Sequence, residues 1–304
     1  FPATQMAESG IRNVFRAEPL FEVQLFSEYL DLSRFRDPPQ RRALADLIKE
    51  RYANSRINLI ISVDSPAAEF LLETAGYIFP EKPVVMCLIQ QSLAERIDAS
   101  PLKQRIRVVF EPLNSEEIVS SALFLKPQTK TAVLISGTFE NDHIRSEPVR
   151  KALKSRENTI EFIDLTGLSI ETMIDRVRDL SGDTIIFFST FFVDGSGRSF
   201  TPRDVLKIIS ANANVPIFGL YESYLGDGIV GGCLLSLQEQ GKKAAEIGVR
   251  IMKGEVPDGT GAAECSLSYD WRQLKRWNID MKTLPPGANI LYREVTAWEL
   301  YKFY

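Results

Sequence analysis

The chain of 304 residues is too long for one ordinary domain and has the length of two domains of about 150 residues each. Hydrophobic residues make up 44% and charged residues 25%, which is typical of a globular protein and excludes a disordered or fibrous one. The formal net charge of −4 is spread over mixed signs, so we expect no nucleic-acid partner. No apolar run approaches the roughly 20 residues that a membrane-spanning helix needs.

The first predicted element is a helix near residues 6–15, whereas a doubly wound domain usually begins with a strand. We infer that the opening strand is missing or that another segment takes its place. Apolar and polar residues alternate over residues 21–26, which predicts a half-buried strand. An amphipathic helix is predicted next from the helical spacing of Leu44, Leu47, Ile48 and Tyr52.

Residues 59–63 form an apolar run that predicts a parallel strand covered on both faces. We expect Ser65 to cap the next helix, with Pro66 at its first position. Further strands are predicted at 83–89 and 106–110, and a capping box from Asn114 to Glu117 predicts a helix ending at residue 125.

After residues 126–130 the strand–helix rhythm starts again, with strands predicted at 131–136, 159–163, 184–188 and 216–220. The repeated alternation predicts an α/β protein with two doubly wound parallel-sheet lobes. We assign residues 1–125 plus 237–304 to lobe 1, with a tail of different character from about residue 284, and residues 126–236 to lobe 2. Because the helix after residue 236 returns to lobe 1, the repeated crossings predict a hinge.

A glycine-rich stretch follows the last predicted strand of lobe 2, with glycines at 226, 228, 231 and 232. This density predicts a tightly folded turn, since glycine permits positive φ and close approach of a backbone or ligand. Ligands of open α/β sheets bind beyond the carboxyl ends of strands, and this is such an end. The alternative is a loop that closes against a neighbouring domain without any ligand.

Polar residues also follow other predicted strands. Those after residues 63 and 136 precede helix N-termini, where free N–H groups favour an anion or a hydroxyl. Taken singly, such residues are more typical of caps than of ligand contacts, but their convergence across two lobes favours a binding site. The candidate ligand contacts are Asp64, Ser65, Ser136, Thr190, Phe191, Tyr221 and Glu222. The acidic side chains of Asp64 and Glu222 favour an amine or a hydroxyl on the ligand.

The remaining reactive residues predict no catalysis. Three cysteines, Cys87, Cys233 and Cys265, are an odd and widely spaced set that predicts neither a disulfide framework nor a zinc site. Cys87 and Cys233 lie in apolar stretches and are interpreted as small hydrophobes. We place the single histidine, His143, on the surface and interpret Gly195-Ser196-Gly197 as a loop. No enzyme motif is present, so we expect neither an active site, a metal nor a cofactor.

Several motifs together resemble the ABC-type solute-binding-like sensor domains of bacterial membrane histidine kinases. The resemblance begins in the glycine-rich stretch and covers nearly the whole chain. Three matching segments are LGDGIVGG at 225–232, GKKAA at 241–245 and GEVP at 254–257. Shorter matches are EYLD at 28–31, Arg34-Phe35, Asp64 with Ala67 and Phe70, and Asp194 with Gly197. The most specific matches are DWRQLKRW at 270–277, LPPG at 284–287, and Tyr292-Arg293-Glu294 through Trp298-Glu299-Leu300-Tyr301.

This resemblance implies the type I periplasmic-binding-protein fold, with a small-molecule ligand held between the lobes. It also implies a periplasmic or other extracytoplasmic location, with a transmembrane helix after the chain as tether. Lobe closure would then move the aromatic tail and signal to a membrane-linked kinase module of the same polypeptide. A homodimer is left open. The family has the opening strand that this chain lacks, so the deduced pocket is incomplete.

Three alternatives remain. A free periplasmic solute-binding protein of an ABC transporter is favoured if the gene ends near Tyr304, whereas an apolar span directly after Tyr304 favours the sensor. An enzyme working in the cleft would turn over its ligand. A cytoplasmic effector domain of a transcription regulator would need an upstream DNA-binding helical segment.

Overall fold

The computed structural model describes residues 2–32, 37–111, 114–257, 260–262 and 265–294. The matched pair Arg34-Phe35 and the aromatic residues Trp298, Tyr301, Phe303 and Tyr304 lie outside the described residues. The chain divides into two compact units, the first formed by Phe1–Pro112 and Ser236–Glu264 and the second by Leu113–Leu235 and Cys265–Tyr304. Each unit contains a parallel sheet with helices, which confirms the predicted α/β fold class.

The elements follow the predicted alternation closely. The helices are α1 (Pro2–Ala17), α2 (Pro38–Arg51), α3 (Ser65–Ile78), α4 (Ala94–Asp98), α5 (Ser115–Leu125), α6 (Glu140–Lys154), α7 (Ile170–Arg178), α8 (Pro202–Asn212), α9 (Leu237–Met252) and α10 (Trp271–Arg276). The strands are β1 (Ile60–Val63), β2 (Val84–Ile89), β3 (Ile106–Phe110), β4 (Thr131–Ile135), β5 (Glu161–Asp164), β6 (Thr184–Phe188), β7 (Ile217–Gly219), β8 (Gly231–Leu234), β9 (Thr260–Ala262), β10 (Ser266–Asp270) and β11 (Asn289–Leu291).

The boundaries of the units differ from those we assigned to the lobes. The first passage between units falls at residues 112 and 113, so the segment 126–130 lies inside the second unit. Helix α5 belongs to that unit because it packs against α6 and β8. Residues 265–294, which we assigned to lobe 1, extend the second unit, because β10 pairs with β8.

The sheet of the first unit has the order β1-β2-β3-β9, and all its strands are parallel. Every residue of β2 is buried, as expected for a central strand covered on both faces. Helix α2 covers one face with a narrow apolar stripe, in which Ala45 and Ile48 are buried. Leu47, which its spacing predicted on the same stripe, is 49% exposed.

Residues 21–26 do not form the predicted strand. Their side chains still alternate between half-buried and exposed, and Phe21, Val23 and Leu25 pack against the cluster around Ile11 and Phe15 of α1. Among the described residues no strand pairs with this segment. The alternating pattern therefore reflects the burial of every second side chain and not hydrogen bonding in a sheet. Among the described residues no strand precedes β1, which lies at the sheet edge.

Helices α1 and α9 cover the other face of this sheet and approach each other closely. A Cβ atom at Gly241 of α9 would lie 2.0 Å from the carbonyl oxygen of Ala7 in α1. Only glycine therefore permits this approach. Ser236 caps α9 by accepting a hydrogen bond from the Glu239 N–H (3.4 Å), and Gly254 follows the helix with a φ of +82°.

The main sheet of the second unit has the order β5-β4-β6-β7, again all parallel. Its connections reverse direction between β4 and β6, which creates a topological switch point. A second sheet, β11-β10-β8, contains one antiparallel pair, β10 with β8. Asn114 is the N-cap of α5, because its side chain accepts from the Glu117 N–H (3.2 Å). The Glu117 carboxylate accepts from the Asn114 side-chain amide (2.9 Å), whereas in the predicted capping box it would accept from the Asn114 backbone N–H.

The cysteine interpretation is wrong in one respect, because Cys233 and Cys265 form a disulfide. They are 32 residues apart, but the antiparallel pairing of β8 with β10 brings their Cα atoms within 5.2 Å. An odd count hid this pair, since the third cysteine, Cys87, is buried and free as expected. His143 is exposed, as predicted.

Candidate ligand-binding site

The switch point of the second unit is formed by the loops after β4 and β6, which carry the predicted residues Ser136 and Thr190. The Ser136 hydroxyl donates to the carbonyl oxygens of Asp142 (3.2 Å) and Thr190 (3.4 Å), and the Gly137 N–H donates to the Thr190 carbonyl oxygen (2.9 Å). Ser136 is fully buried. The structure therefore brings both residues together, with Ser136 joining the two loops to each other.

Asp142 of α6 organises the same loops. Its carboxylate accepts hydrogen bonds from the N–H groups of Phe192 (2.9 Å) and Phe139 (3.3 Å). A Cβ atom at Gly137 would lie 2.2 Å from Asp142 Oδ2, so the loop needs glycine there. Burial raises the pKa of the Asp142 carboxyl, and hydrogen bonds from the Thr190 hydroxyl and from backbone N–H groups only partly offset this effect.

The buried Ser189 Oγ atom at this switch point makes no hydrogen bond to the described residues. The buried Thr190 hydroxyl lies against the Asp142 carboxylate and donates a hydrogen bond to it. Buried polar groups are normally paired, so a ligand or water molecule is the expected partner of the Ser189 hydroxyl. Phe191, by contrast, is fully buried and packs edge-to-face on Phe200 with 6.0 Å between ring centroids, which is a core contact.

Tyr221 and Glu222 follow β7 at the same edge of the sheet. The buried Tyr221 hydroxyl accepts a hydrogen bond from Arg145 Nη1 (2.8 Å), and its ring packs edge-to-face on Tyr224 (5.6 Å). Glu222 begins a 3₁₀ turn, and its N–H donates to the Leu235 carbonyl oxygen (3.1 Å). The Glu222 side chain is half-buried and has no hydrogen-bond or ion-pair partner within the described ranges.

The glycine-rich turn packs against its own unit. A Cβ atom at Gly226 (φ +90°) would lie 2.8 Å from the Tyr292 hydroxyl, and one at Gly231 (φ +120°) would lie 2.2 Å from the Ser268 carbonyl oxygen. The Tyr292 hydroxyl also donates to the Leu225 carbonyl oxygen (3.1 Å). These glycines are needed for contact with protein atoms, which favours the alternative of a loop closed by packing.

In the first unit, Asp64 and Ser65 connect β1 to α3. Asp64, not Ser65, is the N-cap, because Asp64 Oδ1 accepts from the Ser65 N–H (2.8 Å) while Ser65 is already helical. The buried Ser65 hydroxyl accepts from the Gln90 N–H after β2 (3.1 Å). Asp64 (φ +79°) and Leu88 (φ +57°) are both left-handed, and Leu88 lies at the irregularity between β2 and β3. Such strain concentrates at functional sites.

Sequence reasoning missed four polar residues near these strand ends. Gln90 is buried, and its Nε2 atom has no partner in the described part of the chain. Gln240 of α9 joins two strand ends, donating to the Phe110 carbonyl oxygen (3.1 Å) and accepting from the Leu88 N–H (3.4 Å). Gln90 directly follows a predicted strand, so the pattern used for Asp64 could have found it. Gln240, Asp142 and Arg145 lie inside helices and give no such signal.

Among the described residues, one group could offer metal ligands, namely Glu117, Cys233 and Cys265. The two sulfur atoms are bonded to each other and offer no thiolate. The described helices include none with the length and apolar character needed to span a bilayer.

No family model and no curated protein matches this chain. Solved structures match its fold over nearly the full length. A ligand-free, open substrate-binding protein with adhesive properties from Clostridium difficile is 16% identical, has a TM-score of 0.68, and is matched over 97% of this chain and 96% of that chain. The ABC domain from Streptococcus pneumonia in complex with L-Trp is 13% identical with a TM-score of 0.66, over 95% and 96%. A glucose-galactose binding protein from Geobacillus stearothermophilus is 15% identical with a TM-score of 0.52, over 88% and 92%.

The chain therefore has the fold of the type I periplasmic-binding-protein-like solute-binding proteins, as the sequence resemblance implied. These neighbours are binding proteins whose ligands are small molecules. At this level of identity the likeness concerns the fold alone.

Proposed function

We propose that this chain is an extracytoplasmic sensor domain that binds one small solute in a cleft between its two units. The observation that carries the proposal is the likeness to substrate-binding proteins over 95% or more of the chain. The sensor role, with a membrane-linked kinase module in the same polypeptide, rests on the sequence resemblance of the segments around 225–232 and 270–301.

The strand ends support the location of the site. In doubly wound folds, ligands bind beyond the carboxyl ends of the strands at the switch point. Ser189 offers an unpaired hydroxyl group there, and Gln90 offers an unpaired amide at the strand ends of the first unit. Glu222 adds a half-buried carboxylate. A small polar ligand such as an amino acid or a monosaccharide fits this set of donors and acceptors, in line with the ligands of two neighbours.

The disulfide supports the proposed location. Disulfides persist in oxidising compartments such as the periplasm and cell surface and are rare in the cytosol. The Cys233–Cys265 bond therefore favours an extracytoplasmic domain over a cytoplasmic effector domain.

Signalling would follow from the differential affinity of the ligand for open and closed arrangements of the two units. The segment 265–294 belongs to the second unit, so a movement of that unit would be passed to the residues that follow. The proposed membrane contact by Trp298, Tyr301, Phe303 and Tyr304 stays a prediction, as does a homodimer.

A thermal-shift screen with single L-amino acids and monosaccharides tests the proposal. We expect at least one compound to raise the melting temperature in a concentration-dependent manner, because binding to the folded state alone stabilises it. Asp64→Ala and Tyr221→Phe should weaken this shift while the protein remains folded. Unchanged melting temperatures across both ligand classes would contradict the proposal.

The second candidate is a free periplasmic solute-binding protein of an ABC transporter, which the likeness to substrate-binding proteins favours equally. Two functional assays distinguish the solute-binding protein from the sensor domain. A delivery protein should stimulate uptake by a reconstituted transporter, whereas a sensor should change the activity of an attached kinase.

A further inference from the structure

The disulfide lies where the chain leaves and re-enters the second unit. The segment Ser236–Glu264 is inserted into the first unit, and the chain returns to the second unit at Cys265. Cys233, in β8, is three residues before the departure at Ser236. One covalent bond therefore joins both ends of the inserted segment.

We propose that the Cys233–Cys265 disulfide is a reducible clasp, which fixes the ends of the inserted segment, and that the Glu117 carboxylate protects it from anionic reductants. This proposal does not depend on a solute being bound. The disulfide lies beside two of the three points at which the chain passes from one unit to the other.

The inserted segment carries α9, so its anchorage matters to the first unit. Ala244 and Ala245 of this helix are fully buried, and the backbone at Gly241 lies against Ala7 of α1. Besides the disulfide, the residues that flank the segment are joined by the short β8–β10 ladder, which pairs Leu234 with Ser266 and continues to Gly231 with Tyr269. Near its end the segment is also held by β9, which pairs with β3. Such short ladders open readily, and a covalent link restrains them.

The two sulfur atoms differ in access. Cys233 is buried, whereas Cys265 is half-buried, so a reductant reaches the Cys265 sulfur. The Glu117 Oε1 atom lies 3.9 Å from that sulfur. The Asn114 amide holds the other carboxylate oxygen at 2.9 Å, which keeps the charge in place. An anionic reductant that attacks the Cys265 sulfur must therefore approach the fixed negative charge of the Glu117 carboxylate.

Reduction by a small dithiol proceeds by two exchanges. The dithiol thiolate bonds to the Cys265 sulfur, the Cys233–Cys265 bond breaks, and Cys233 leaves as a thiolate that takes a proton from water. The second thiol of the reductant, as its thiolate, then displaces the Cys265 sulfur. The products are a cyclic oxidised dithiol and two cysteine thiols.

Hydrogen exchange measured by mass spectrometry on the full chain, with and without dithiothreitol, tests the clasp. We expect faster exchange in residues 231–235 and 265–270 and in α9 after reduction, with β4 and β6 unchanged. The variant with both Cys233→Ala and Cys265→Ala should show the same exchange without reductant and no further change with it. Reduction that leaves α9 unchanged, or a disulfide that resists reduction in the folded protein, overturns the clasp.

The protective role of Glu117 has its own test, the rate of disulfide reduction at low ionic strength. A charge 3.9 Å from the attacked Cys265 sulfur changes the barrier for an anionic attacker by about 1 kcal/mol in water, so Glu117→Gln should accelerate reduction about fivefold. Glu116→Gln, on the same helix but paired with Arg156 at 2.6 Å, should leave the rate unchanged. Equal rates for both variants and the parent protein would remove Glu117 from the proposal.

Discussion

The substitution Ser189→Ala separates binding from folding, because the Ser189 hydroxyl is buried and has no hydrogen bond to the described residues. Alanine keeps the rest of the side chain and removes only the polar atom. A buried unpaired polar group costs about 1–3 kcal/mol, so the variant should be about 1 kcal/mol more stable to unfolding. If a ligand satisfies this hydroxyl, losing one hydrogen bond of about 0.5–1.5 kcal/mol should weaken binding about 2- to 13-fold.

Urea denaturation and isothermal titration calorimetry with the compound found by thermal shift measure the two effects. Thr184→Val is the control, since Thr184 is buried at the start of β6, the strand whose end Ser189 follows. The control should bind with the parent affinity. A less stable Ser189→Ala protein would mean that the hydroxyl has a protein partner, and an unchanged affinity would place Ser189 outside the site.

Three further predictions concern folding. Gly241→Ala should lower the free energy of unfolding by about 2 kcal/mol in urea denaturation, because overpacking against the α1 backbone exceeds the gain in helix propensity. In the control Gly76→Ala the added Cβ would be 3.8 Å from its nearest neighbour, so this substitution should raise the free energy of unfolding by up to about 1 kcal/mol. Equal effects of the two substitutions would contradict the packing described. Replacing Cys233 and Cys265 by alanine should cost about 4 kcal/mol by the chain-entropy relation for a separation of 32 residues, and a loss below about 1 kcal/mol in the same measurement would argue against that bond. Burial raises the pKa of Asp194, but hydrogen bonds from Ser196 and Arg198 outweigh this effect and hold the pKa well below 3.8. The ionised carboxylate therefore stabilises the fold above about pH 4, and this stabilisation fades in acid. Asp194→Asn should therefore lose most stability near pH 7, and its deficit should shrink as the pH falls below about 4; a deficit independent of pH would contradict this.

Much of the fold could be predicted because burial in a parallel sheet leaves a local mark. The run that became β2 is continuously apolar, those that became β1 and β6 each contain a single hydroxyl residue, and capping residues such as Asn114 mark the helix starts. The failures arise from long-range partners. Residues 21–26 carry the alternation of a half-buried strand, yet the described structure supplies no neighbour to pair with them.

The candidate site was predicted by position but not by role. Strand ends gave Ser136 and Thr190, which the structure brings together at the switch point. The role of each residue could not be predicted, because Ser136 joins two loops while the Thr190 hydroxyl binds the Asp142 carboxylate. Asp142 reaches these loops from a helix, where nothing in the local pattern distinguishes it from a solvent-facing acid.

Native mass spectrometry of the full chain, incubated with pooled L-amino acids or pooled monosaccharides, tests the central claim of small-solute binding most directly. We expect one non-covalent 1:1 adduct from one pool, weakened by Ser189→Ala and unchanged by Thr184→Val. Spectra that contain only the free protein with both pools would contradict it.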